Sequence, residues 1–139
     1  MEIRLGNLAS KKAKDRGVKA YGRMLSKDHK KHDKELSKLA KKMKVKVAKF
    51  EPKVDGDREA ATANAEMEQR LKGARGASFD ATFLTAMVKG HSQAVDLLTS
   101  FVERPTEPAV KEFLEKTLSA LKKHREAAQR LLDKNKAAS

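Results

Sequence analysis

Apolar side chains in this chain recur at alternating spacings of three and four, the period that lays one stripe along an α-helix. Leu84, Met87, His91, Ala94, Leu98 and Phe101 keep that period in one stretch, and Val110, Leu114, Thr117, Leu121, His124, Ala128 and Leu131 keep it in the next. Between them lies Arg104-Pro105-Thr106-Glu107-Pro108. Pro105 stops the first helix, and Pro108 can open the second because a first-turn proline loses no hydrogen bond it needed. The pattern predicts two antiparallel helices with facing seams. Each seam carries one histidine where an aliphatic residue would ordinarily sit.

The N-terminal half repeats the theme. Glu2 to Lys14 makes a short helix with Ile3, Leu5, Gly6, Leu8, Ala9 and Ala13 on its apolar side. Lys14-Asp15-Arg16-Gly17 reads as a turn, with Gly17 expected in the left-handed conformation. The stripe resumes through Val18, Tyr21, Leu25, His29 or His32, Leu36, Leu39 and Met43, and the opposite face is almost solid lysine. No capping residue precedes Glu2, which predicts further residues upstream. Residues 44–56 read as a connector, because Pro52 and Asp55-Gly56 outweigh the brief Val45/Val47 alternation. Asp57 is expected to cap a weakly apolar helix running to about Lys72 and lying across the bundle. Gly73 and Gly76 break that helix, and Ser78 or Asp80 starts the next long one.

Val18-Lys19-Ala20-Tyr21 after one turn resembles Val110-Lys111-Glu112-Phe113 after the other, and His32 and His124 each fall 14 residues beyond the valine. The predicted fold is therefore all-α. It is a ferritin-like four-helix bundle made of two antiparallel hairpins, residues 1–43 and 78–135, with an extra short helix in the crossover 44–77. Residues 1–135 form one domain, and 136–139 are expected to fray.

Composition agrees with a helical bundle: of 139 residues, 37% are charged and only 4% aromatic. With no cysteine, disulfides and thiolate metal sites are excluded. No apolar run approaches the roughly 20 residues of a membrane-spanning helix. The charge is uneven. Residues 1–53 carry 18 basic and 6 acidic side chains, against 5 and 8 in residues 54–103. A basic N-terminal half suits an anionic partner such as an envelope polymer or nucleic acid. There is no base-reading motif and no aromatic stacking platform to go with it.

Helix rise puts Glu2 roughly 20 Å before the first turn and His29 roughly 20 Å after it. By the same measure His91 lies roughly 22 Å before the second turn and His124 roughly 27 Å after it. With both turns at one end, the four side chains share a layer, and His32 competes with His29 for the same place. Three imidazoles and a carboxylate suit a transition metal, with zinc first and copper, nickel or iron as alternatives. Asp28 and Asp33 are candidates to fix the imidazole tautomers. The paired Glu-x-x-His motifs of di-iron oxidases are missing, as is any Ser-His-Asp or paired-carboxylate arrangement, so the reading leans away from an enzyme.

The segments EIRLGNLASKKA, VKAYGRMLSKDH, FDATFLTAMVKGH and VKEFLEKTLSALKKH resemble, in order and over nearly the whole chain, the bacterial ferritin-like family of domain of unknown function 4142. The resemblance implies a ligand set of Glu2, His29, His91 and His124, with His29 favoured over His32. It also implies export to the periplasm or envelope. The expected function is a metal-binding bundle for metal handling or stress protection. The alternative is a non-enzymatic module whose basic N-terminal helices dock on an anionic partner.

Overall fold

The computed structural model describes residues 1–47, 51 and 53–137. Among them are five α-helices and no strand: α1 (Glu2–Lys12), α2 (Arg16–Lys42), α3 (Asp55–Gly73), α4 (Gly76–Val102) and α5 (Pro108–Ala137). The all-α expectation holds. The helix α1 packs along α2 and α4 along α5, while α2 also meets α5, and α4 also meets α1 and α3.

The first turn differs from the expectation. Asp15 Oδ1 accepts the Val18 N–H at 3.0 Å, so Asp15 caps α2 and Gly17 lies inside the helix. A side-chain cap satisfies the first-turn amides, and no left-handed residue is then needed. Asp80 from the first turns of α4 accepts the N–H groups of Lys14 at 2.9 Å and Asp15 at 2.7 Å. This buried carboxylate, 3% exposed, ties the α1–α2 turn to the start of α4. The two turns therefore sit at opposite ends of the molecule, not at one end. His29, His91 and His124 nevertheless share one level, because each lies near the middle of a long helix.

Three helix boundaries also move. The helix α4 begins at Gly76, whose φ of +57° is open only to a residue without Cβ strain, rather than at Ser78 or Asp80. The helix α3 begins at Asp55; Asp57 lies within it and its Oδ2 accepts the Lys53 N–H at 3.4 Å. At the other end α5 continues through Ala137, beyond the expected boundary at residue 135. Val45 and Val47 are exposed and form no strand. Pro52 and residues 138–139 lie outside the described residues.

The core is densest at the α1–α2 turn end. A Cβ on Gly6 would stand 2.6 Å from the Gly22 carbonyl oxygen, and one on Gly22 would stand 2.7 Å from that of Gly6. Two glycines thus let α1 and α2 approach backbone to backbone. Phe79 and Phe83 stack with centroids 6.0 Å apart, and Tyr21 meets Phe83 edge-on. Leu71 brings α3 into this core, and Lys12 Nζ donates to its carbonyl at 3.2 Å. Past the level of Glu2, α2, α4 and α5 continue without α1. Leu36 and Phe101, expected on inward seams, are accordingly exposed there.

Candidate metal centre

Three of the four histidines converge where α2, α4 and α5 meet. His29, His91 and His124 each offer a ring nitrogen, and these atoms all lie within 4.8 Å of one another. The ring centroids are 6.0 Å apart for His29–His91 and 5.5 Å for each of the other two pairs. His91 and His124 are buried, and His29 is half-buried.

Hydrogen bonds fix which nitrogen faces the centre. His91 Nδ1 lies 2.8 Å from the Met87 carbonyl, one turn back on α4. A carbonyl only accepts, so Nδ1 carries the proton and Nε2 keeps its lone pair. His124 Nε2 lies 3.1 Å from Asp28 Oδ2 on α2. By the same logic Nε2 donates there, which leaves Nδ1 with the lone pair in the neutral ring. The buried atoms without a partner among the described residues include His29 Nε2, His91 Nε2 and His124 Nδ1. Two neighbours thus impose opposite tautomers on two rings, and both present an acceptor inward.

Electrostatics point the same way. Burial, then the neighbouring His124, His91 and His32 rings, push His29 down to about 4. Burial also lowers His91, partly offset by its bond to the Met87 carbonyl. Both are neutral near pH 7, the form that binds a cation. Glu2, at the start of α1, is half-buried and its Oε2 is a fourth buried atom without a partner. Burial raises its pKa, and burial first, then the neighbouring Glu2 charge, raises that of Tyr21. Glu2 is not a member of the close three-nitrogen group.

Each orphaned buried polar atom costs about 1–3 kcal/mol. The three histidine nitrogens together represent a penalty within reach of the whole net stability of a domain, about 5–15 kcal/mol. A cation at the centre would relieve it. A tetrahedral zinc ion with bonds of about 2.0–2.1 Å holds its ligands about 3.3 Å apart, so the nitrogens stand at most about 1.5 Å wider than that. The three nitrogens could hold a metal ion.

The remaining candidates separate cleanly. His32 does not join the cluster: its Nε2 bonds Thr117 Oγ1 and its ring lies against Phe113, centroids 5.1 Å apart. Asp28 supports a histidine, but across the helix interface rather than beside it in sequence. Asp33 is exposed. A cavity of about 100 Å³, lined in part by Asp28, His29, His32 and His124, flanks the cluster. The family model described as "Domain of unknown function (DUF4142)" matches residues 1–131.

The chain belongs to the DUF4142 family. That match spans all five helices up to Leu131 and includes every residue of the histidine cluster. No curated protein and no solved structure shows significant similarity to this DUF4142 chain. Sequence reasoning missed the Met87 carbonyl and the pairing of Asp28 with His124. Backbone acceptors leave no residue-type signal. The spacing of one turn between Met87 and His91 is the one hint that was available.

Proposed function

We propose that this DUF4142 domain is a metal-binding, ferritin-like four-helix bundle of the bacterial envelope, acting in metal handling or stress protection. The ligands are His29 Nε2, His91 Nε2, His124 Nδ1 and a Glu2 carboxylate oxygen, and zinc is the ion. The observation that carries this reading is the set of three inward ring nitrogens, buried, unpartnered and mutually within 4.8 Å. Asp28 and Met87 act as positioning groups that hold two rings in the metal-binding tautomer. Four protein ligands close a tetrahedral site, which suits binding rather than turnover. Envelope location rests on the family resemblance, and no described helix is long and apolar enough to cross a membrane.

Calorimetric titration of zinc into chelator-treated protein tests the proposal. One equivalent should bind, fail to bind in His91→Ala, and bind more weakly in Glu2→Gln. Equal affinity in wild type and His91→Ala would sink the site. Equal affinity in Glu2→Gln would remove Glu2 from it while leaving the histidines.

A further inference from the structure

The outer face of α2 carries a second feature, independent of the histidine cluster. From Arg16 to Lys41 a Lys or Arg stands at every step of the spacing 3-4-4-3-4-4-3, eight cations in all. At 3.6 residues per turn these eight fall within an arc of about 100° and span about 38 Å, one positive charge per turn. The same arc contains no acid; its other positions are Ala20 and Ser37. None of the eight forms an ion pair among the described residues. The pair Lys31–Glu35 on the same helix lies off the stripe.

The stripe borders a cleft. Arg23, Lys27, Lys30 and Lys34 line a cavity of about 550 Å³ between α1 and α2. Asn7 and Ser26 also line it and hydrogen-bond each other at 2.8 Å. The side chains of Arg23, Lys27, Lys30 and Lys34 are exposed. Like charges at one-turn spacing repel along the whole helix, so the arrangement works against the free protein and favours any partner that neutralises it.

We propose that this stripe and cleft dock a linear polyphosphate-type chain, a single strand of phosphate charges recognised without any base or lipid tail. The charges run in single file, matching one strand rather than the two of a duplex. No aromatic side chain lies in the arc, so stacked bases gain nothing there. Its one apolar position is Ala20, which offers no anchor for a bilayer. Neutralising successive phosphates releases counterions, so binding weakens steeply with salt.

The test uses dye-labelled inorganic polyphosphate, followed by anisotropy across a salt series with chelator present, which separates it from the metal site. The cleft variant reverses Arg23→Glu, Lys27→Glu, Lys30→Glu and Lys34→Glu. The control reverses Lys111→Glu, Lys122→Glu, Lys123→Glu and Lys134→Glu on α5, an identical change in net charge. The cleft variant should lose at least about tenfold in affinity and roughly half the salt slope, four of eight contacts being removed, while the control keeps its slope. Should the cleft variant not fold by circular dichroism, glutamines at the same four positions carry the comparison. Equal losses in both variants would reduce the effect to net charge and overturn the proposal. Tighter binding per phosphate to a short DNA duplex, or to phosphatidylglycerol vesicles, would overturn it in favour of those partners.

Discussion

Acidification of the metal-free domain should weaken it through the histidine cluster. His29 is held down to about 4 from an ordinary 6.5 by burial and by its neighbouring histidines. Its folded pKa lies below its unfolded one, so between those values the unfolded chain binds the extra proton. Stability then rises with pH across the window. The contribution is complete above 6.5 and is lost as pH falls from 6.5 toward 4. At about 1.36 kcal/mol per pH unit the drop from 6.5 to about 4 sets a ceiling of about 3.4 kcal/mol. Solvent screening at the half-buried ring brings this to about 2 kcal/mol. His91, also lowered by burial, adds a loss of the same sign. Glu2 acts in the opposite direction, because burial raises its folded pKa and protonation restores stability as pH falls through that range. Urea unfolding between pH 7.5 and pH 4 with chelator present measures the balance. Wild type should lose stability through this window. His29→Gln should flatten the slope by about one proton, and Glu2→Gln should steepen the net loss. A flat profile in wild type, or an unchanged slope in His29→Gln, would refute the reasoning.

Asp28→Asn keeps the shape of the side chain but weakens its hold on the His124 tautomer. Metal affinity should fall about 10–100-fold with little change in the thermal melt of the metal-free protein; an unchanged affinity would deny Asp28 a positioning role. Gly22→Ala pushes a methyl to 2.7 Å from the Gly6 carbonyl oxygen, and overpacking of this kind should cost about 1–3 kcal/mol in urea unfolding. A neutral result would mean that α1 is free to shift away from α2. Asp80→Ala strips the acceptor from two backbone amides in the first turn and should cost about 2 kcal/mol or more. Hydrogen exchange should accelerate at Lys14 and Asp15, and continued protection there would show another acceptor taking over.

How much of this could be read from the chain alone follows from what each signal encodes. Helical periodicity placed His91, His124, Leu121 and Met87 on inward faces, because burial of one stripe is the main determinant of the pattern. The prolines at 105 and 108 bounded α4 and α5 for the local reason that proline lacks an amide hydrogen. Spacing could not separate His29 from His32, since both lie on the same face of α2 within one turn. Tertiary contact separates them: Thr117 and Phe113 take up His32, and His29 points between α4 and α5. Nor could periodicity reveal Asp80. Its carboxylate serves amides more than sixty residues away, and a long-range cap has no local signature. The seam also failed beyond Leu98, where Phe101 is exposed. A stripe predicts a partner helix, but the short α1 does not reach that end of the molecule.

Metal occupancy of the three-histidine centre is measured most directly by the metal content of protein purified without a histidine tag, together with X-ray absorption at the edge of whatever ion is found. About one equivalent of a transition metal is expected, with about three nitrogen ligands and one oxygen at roughly 2.0–2.1 Å, lost in His91→Ala and in His124→Ala. Protein that carries no metal, gains no thermal stability on adding zinc, copper, nickel or iron, and shows water bridging the three rings in a crystal structure would contradict it.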